Sequence, residues 1–242
     1  MKYILTIVVI IASLLVSVGC TKVQEVEVVK AADTHVSQES TVEVSKKEER
    51  VSFSVASLPD GVMKNMNGVS WKPESPVAMD QLAYVRVLYW GFDDQSHEGE
   101  LVVHKTVAKE IMEIFQILYE AKFPIEKIRL VDEYEGNDDL SMENNNTSAF
   151  NFRDVADSKG VLSKHSYGVA IDINPIQNPY MKGEKVSPAA GKSYLDRGEI
   201  RKGMIIKGDV CYKAFKDRGW TWGGEWKTMK DYQHFQKSIP LN

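Results

Sequence analysis

Among the five histidines of the chain, His35, His97, His104, His165 and His234, two lie in stretches whose neighbours can do chemistry. From Ser163 to Asp172, the residues Val169, Ile171 and Ile173 alternate as one apolar strand face, which leaves Ala170 and Asp172 on the other. A carboxylate inside an apolar strand needs a counter-charge or a metal. Gly168 permits a sharp turn that carries His165 back toward Asp172. A histidine and a carboxylate converging on one point form a zinc pair; a strand with one surface acid and a loop histidine is the other reading the spacing allows. A second cluster adds Trp220, Trp222, Gly223, Gly224, Glu225 and Trp226, followed by Asp231 and His234. Three tryptophans around a glycine pair suggest a walled cleft, or else a Trp-rich core corner. A hydrolytic zinc site needs three protein ligands, an open position for water, and a carboxylate off the metal to take the water's proton. His165, Asp172 and His234 supply the three, and Asp231 supplies the base. His97 and His104 read as surface or structural histidines.

The pattern Ser163-x-His165-x-x-Gly168-x-Ala170-x-Asp172, then Trp222-Gly223-Gly224-x-Trp226 and Asp231-x-x-His234-Phe235, resembles the VanY-like zinc peptidases. That family comprises D-alanyl-D-alanine carboxypeptidases and L-alanyl-D-glutamate endopeptidases. The resemblance spans roughly residues 85–240. It implies a Hedgehog/DD-peptidase-like zinc domain, with zinc held by His165, Asp172 and His234 and with Asp231 as the catalytic acid/base. Glu225 is the rival base and ranks behind it, being placed away from the last histidine. Arg153 resembles the family's binder of substrate carboxylate, although Phe150-Asn151-Phe152-Arg153 replaces the usual Gly-Tyr-Arg-Ser run. Ser148 is a candidate hydroxyl beside it. The stretch from Asp139 to Met142 is also family-like and is expected to shape the cleft edge. The implied substrate is the peptidoglycan stem peptide, with a carboxypeptidase favoured over an endopeptidase. A zinc-holding module that binds the wall without cutting it is the remaining alternative.

The elements that must position these residues are partly legible. Leu82–Trp90 reads as a strand, His97-Glu98-Gly99 as a turn, and 100–104 as the return strand. Thr106 offers an N-cap, after which Val107, Ile111, Ile114, Phe115 and Leu118 mark one helical face up to Pro124. Residues 127–134 read as a strand, 136–146 as a polar loop, 169–173 as a short strand, and 231–236 as a final extended piece. Residues 209–218 read as a helix capped by Asp209 and closed by Gly219. The order predicts an α+β domain, helices packed on a mostly antiparallel sheet.

The chain has 242 residues, two cysteines and a net charge of −4. That charge gives no electrostatic case for nucleic acid. Residues 1–20 have the layout of a secretory signal: Lys2, an apolar run over 4–18, and small residues before Cys20. The run is short for a membrane span of about 20 residues. Cys20 after Gly19 looks like a lipobox, with Ser17 where that motif usually has Leu, so a lipid-anchored envelope protein is expected, with plain secretion as the alternative. Lipidation of Cys20 leaves Cys211 without an internal partner, as a buried apolar residue. Residues 21–50 are charged and lack aromatics, Gly and Pro, which reads as a tether. Residues 51–242 are then the peptidase domain, expected to act as a monomer.

Overall fold

The computed structural model describes residues 53–156 and 158–240. The expected leader, Cys20 and the tether over 21–50 lie outside the described residues. Among the described residues no helix is long and apolar enough to cross a membrane.

The chain order is β1 (Ser54–Ser57), α1 (Asp60–Met66), β2 (Leu82–Trp90), β3 (Ser96–His104) and α2 (Lys105–Glu120). Then come β4 (Lys127–Ile128), α3 (Asp138–Glu143), β5 (Asn146–Thr147), β6 (Asp154–Val155), β7 (Ser158–Leu162) and β8 (Ala170–Asp172). The rest comprises β9 (Tyr180–Lys182), β10 (Lys185–Ser187), α4 (Val210–Lys216), β11 (Thr221–Trp222), β12 (Lys230–Asp231) and β13 (His234–Gln236), with short 3-10 turns between. This is an α+β arrangement in which every sheet is antiparallel except the β4–β5 pair. The expected single sheet is instead divided into small ones: β1-β2-β3, β10-β9-β12, β11-β13-β8 and two pairs.

The scaffold is the β2–β3 hairpin with α2 laid across it. Val85, Val87, Leu101 and Val103 face Ile111, Ile114 and Phe115 in one buried cluster. The apolar stripe anticipated for α2 is the face it buries. Burial of such side chains contributes about 1.5–3 kcal/mol each, which makes this hairpin and helix the rigid floor. Ile171, Ile173 and Phe235 belong to the same cluster, so the strands that carry the candidate site are rooted in it.

Several boundaries differ from the sequence reading. The 97–99 segment is strand, not turn: β3 already begins at Ser96, and the chain reverses over 91–95. Gly99 is there because Ile128 crosses so closely that a Cβ would meet it at 2.6 Å. The cap of α2 is His104, whose Nδ1 accepts from the Thr106 N–H at 3.2 Å. Burial pulls the His104 pKa down, which keeps the ring neutral and able to accept. The strand expected over 127–134 is only Lys127–Ile128, followed by a 3-10 turn. The polar stretch 136–146 contains helix α3, capped by the Asn137 side chain on the Leu140 N–H at 3.0 Å. Asp209 caps α4 as expected, and Cys211 is buried.

Candidate metal centre

Strand β13 lies against β8 with His234 opposite Asp172 and Gln236 opposite Ala170. Alternation therefore puts His234, Gln236, Asp172 and Ala170 on one face. Ala170 is small, which leaves Gln236 room to reach along its own strand toward His234. Asp172 is on the face of β8 opposite the core-facing Ile171, where strand parity puts it, but it is only 3 % exposed, so the surface-acid reading does not hold. Both faces of β8 are covered, one by the core and the other by the site. Ser148 fixes Asp172 through the main chain, with the Ser148 N–H donating to the Asp172 carbonyl at 3.0 Å and the reverse bond at 2.9 Å.

His165 arrives by the turn that Gly168 closes. Gly168 has φ 66°, and a Cβ there would meet the His104 main-chain nitrogen at 2.5 Å, so no other residue fits without displacement. Ser163 caps this turn on the His165 N–H. Ser166 pins the neighbouring strand: its Oγ donates to the Arg153 carbonyl at 2.8 Å and accepts the Arg153 N–H at 3.0 Å. The spacing of the motif is thus the spacing of one cap, one turn and one tie to Arg153.

The three side chains meet. His165 Nε2 is 3.0 Å from Asp172 Oδ2, His234 Nδ1 is 2.9 Å from Asp172 Oδ1, and the two ring nitrogens are 3.2 Å apart. The other nitrogen of each ring is already engaged by an oxygen. His165 Nδ1 faces the Ala149 carbonyl at 2.5 Å, and His234 Nε2 faces Gln236 Oε1 at 3.0 Å. With those two nitrogens protonated, His165 Nε2 and His234 Nδ1 both present lone pairs toward one carboxylate. Three lone-pair atoms within 4.8 Å of one another, all buried, repel unless a proton or a metal ion lies between them. Two imidazoles and a carboxylate with outer hydrogen-bond partners fit a metal, and the donor set is that of an open three-ligand site.

The electrostatics agree. Burial alone would raise the Asp172 carboxyl, but the two adjacent imidazoles hold it well below the usual carboxylate range. Burial would lower His234, yet Asp172 beside it pushes its pKa up to about 9, a demand for positive charge at this point. Asp231 lines the same cleft; burial, reinforced by Asp172, lifts it to about 7 against the opposing pull of His234. Its Oδ1 is buried and has no hydrogen-bond partner among the described residues. The glycine pair has a local reason: a Cβ on Gly223 would strike the Asp231 carbonyl at 2.4 Å, and one on Gly224 the Trp222 ring at 2.4 Å. Gly223 lets the strand carrying Asp231 come close.

These groups open into a cleft of about 390 Å³. Arg153 lines it, 3.0 Å from Asp138 Oδ2 and 4.0 Å from Asp172 Oδ2. Asp138, which the sequence reading passed over, has its carboxyl pushed above the usual range by burial, with Arg153 beside it pulling the other way. Ser148 does not line the cleft; its contribution is the main-chain pairing with Asp172. Glu225 is turned away, bonded to Tyr212 Oη and Lys216 Nζ at 2.7 Å each. Of the three tryptophans only Trp226 lines the cleft, beside His234; Trp220 and Trp222 are core. His97 pairs with Asp93 at 2.9 Å, far from this cluster in the fold's first hairpin. Gln236 was also missed, although its position two residues after His234 in an extended run places it on the same face.

Residues 156–237 match the family model described as D-alanyl-D-alanine carboxypeptidase. The match bears out the resemblance to VanY-like peptidases, a hydrolase class that is typically metal-dependent. It contains His165, Asp172, Asp231 and His234, whereas Asp138, Ser148 and Arg153 precede it. No solved structure gives a significant match to the chain.

Proposed function

We propose that this protein is a zinc peptidase of the Hedgehog/DD-peptidase-like kind that trims peptidoglycan stem peptides as a D-alanyl-D-alanine carboxypeptidase. In this reading it is monomeric and tethered at the envelope by a lipid on Cys20. The observation that carries it is the convergence of His165, Asp172 and His234 lone pairs beside a shielded Asp231 in one cleft. The match to a D-alanyl-D-alanine carboxypeptidase family model supports the same class.

His165, Asp172 and His234 would hold the zinc. Such an ion would supply Lewis-acid polarisation of the scissile carbonyl and a bound water of pKa about 7. Asp231 takes a proton from the attacking water and returns it to the leaving amine; a carboxylate raised toward neutrality is matched to both tasks. The Ala149 carbonyl and Gln236 keep both imidazoles in the tautomer that presents a lone pair. Arg153 exchanges Asp138 for the terminal carboxylate of the peptide and orients it by charge-assisted hydrogen bonds.

An L-alanyl-D-glutamate-type endopeptidase is the second reading. It is favoured by the lining, since the β6–β7 and β9–β10 hairpins both contribute side chains and a peptide can run along the cleft between them. A pure binding module has no use for a carboxylate held ready beside the metal. Incubation of the zinc-loaded protein with a defined pentapeptide, followed by mass spectrometry, separates the three. Loss of one alanine supports the carboxypeptidase, a cut after the first alanine the endopeptidase, and an intact peptide the binder.

A further inference from the structure

Gln233 stands between Asp231 and His234 and lines the cleft with them, yet it is only 2 % exposed. Its main chain is fixed by the pairing that brings the candidate ligands together: the Ile173 N–H donates to the Gln233 carbonyl at 3.1 Å. Its side chain is held far less well. Nε2 donates to Met142 Sδ at 3.3 Å, and a thioether is a weak acceptor. Oε1 is buried and has no hydrogen-bond partner among the described residues. The buried amides of Asn146, Asn174 and Asn178 differ, since each engages main chain through both its oxygen and its nitrogen. A buried amide oxygen without a donor bears the full cost of its lost hydration. The Gln233 amide also acts on Asp231, drawing its carboxyl down against burial, so it lies beside the group assigned to the water's proton.

We propose that Gln233 is a specificity-determining residue whose amide oxygen accepts a main-chain N–H of the bound peptide. The amide turns away from Met142 to do so and gives up only a weak bond. Its place in the chain selects which N–H. The attacked carbonyl must lie beside both Asp231 and His234, and the nearest N–H outside the cleaved bond belongs to the residue that carries this carbonyl. Recognition at this point is of main chain rather than of a side chain. An ester oxygen in place of that N–H sets two acceptors against one another, so a site built this way rejects the ester. The choice of N–H rests on the carboxypeptidase reading.

The test uses acetyl-Ala-D-Ala-D-Ala in which a ketomethylene group replaces the last amide, so that the attacked carbonyl stays but the bond resists cleavage. A second probe is identical except that oxygen replaces the N–H of the middle residue. Binding of both to the zinc-loaded full chain is measured by calorimetry. The N–H probe is expected to bind about tenfold more tightly than the ester probe. Gln233→Met, close in volume but without the amide, is expected to abolish that preference while zinc content stays unchanged. Gln233→Glu, which keeps an oxygen acceptor, is expected to retain it. Equal affinity for the two probes, including no binding of either, overturns the proposal, as does a preference that survives Gln233→Met. Turnover of acetyl-Ala-D-Ala-D-Ala itself reports separately on the carboxypeptidase reading: a preference in binding without hydrolysis keeps the role of Gln233 and removes the carboxypeptidase.

Discussion

Residues 82–120 are held by apolar burial, whereas residues 146–236, though rooted in the same core through Ile171, Ile173 and Phe235, are directed by polar side chains bonding main chain. In the first region nine-residue strands and a four-turn helix interlock through Val85, Val103, Ile111 and Phe115. In the second, strands of two or three residues dominate and the chain is pinned by amide side chains. Asn178 donates to the carbonyls of Ile173 at 3.1 Å and Gly203 at 2.9 Å, and accepts from the Ile205 N–H at 2.7 Å. Arg197 joins the same hub, bonding Asn178 Oδ1 at 3.1 Å while its guanidinium lies 4.4 Å over the ring of Tyr232, next to Asp231. Apolar packing gives a floor that tolerates exchange of one hydrophobe for another. Polar pinning gives fixed directions, which is what three converging ligands need.

The contrast can be broken at both ends. The largest expected effect is at the metal. His234→Ala should reduce both bound metal and peptide turnover to background, while circular dichroism shows the 82–120 region still folded. Next is Asp231→Asn, expected to lower turnover by about 10²–10⁴-fold with metal retained. The same substitution should raise the thermal stability of the metal-free protein. The folded-state pKa of Asp231, about 7, lies above its ordinary 3.8. The folded protein then binds more protons than the unfolded one between those values, so this group subtracts stability as pH rises through that window. The gain on substitution should be full at pH 8 and vanish near pH 4, as followed by melting curves.

Smaller effects test the floor and the pins separately. Phe115→Ala should cost about 3–5 kcal/mol of stability in urea titration, leaving metal affinity of the folded fraction intact. Asn178→Ala should cost about 1–3 kcal/mol by stranding buried carbonyls and N–H groups, yet weaken metal affinity, because Ile173 directly follows Asp172, the proposed ligand. If Phe115→Ala weakened the metal and Asn178→Ala did not, the division of labour between the two regions would be reversed.

That division also decides what the sequence revealed. Helix α2 was legible because its apolar residues repeat at helical spacing and all face the core. Helix α3 was not, because it buries only Ser141 and Met142 and so carries no period. The strand expected over 127–134 rested on alternation that, in the fold, serves two residues of β4 and then a 3-10 turn. At the site, the turn at Gly168 and the pair His165 and Asp172 could be placed locally. The approach of His234 to Asp172 depends on β13 pairing with β8 across 62 residues, which no local pattern encodes. Main-chain partners such as the Ala149 carbonyl have no sequence signature at all, and the pairing of Arg153 with Asp138 joins residues from separate elements.

The account depends most on a single cation held by His165, Asp172 and His234. The direct measurement is zinc stoichiometry and affinity of the full chain, by metal analysis and chelator competition, with pentapeptide hydrolysis followed in the same samples. The account predicts one zinc per chain, activity lost with chelation and restored by one equivalent of zinc, and no tight zinc in Asp172→Ala. Hydrolysis that persists without bound metal, or full zinc occupancy in Asp172→Ala, would contradict it.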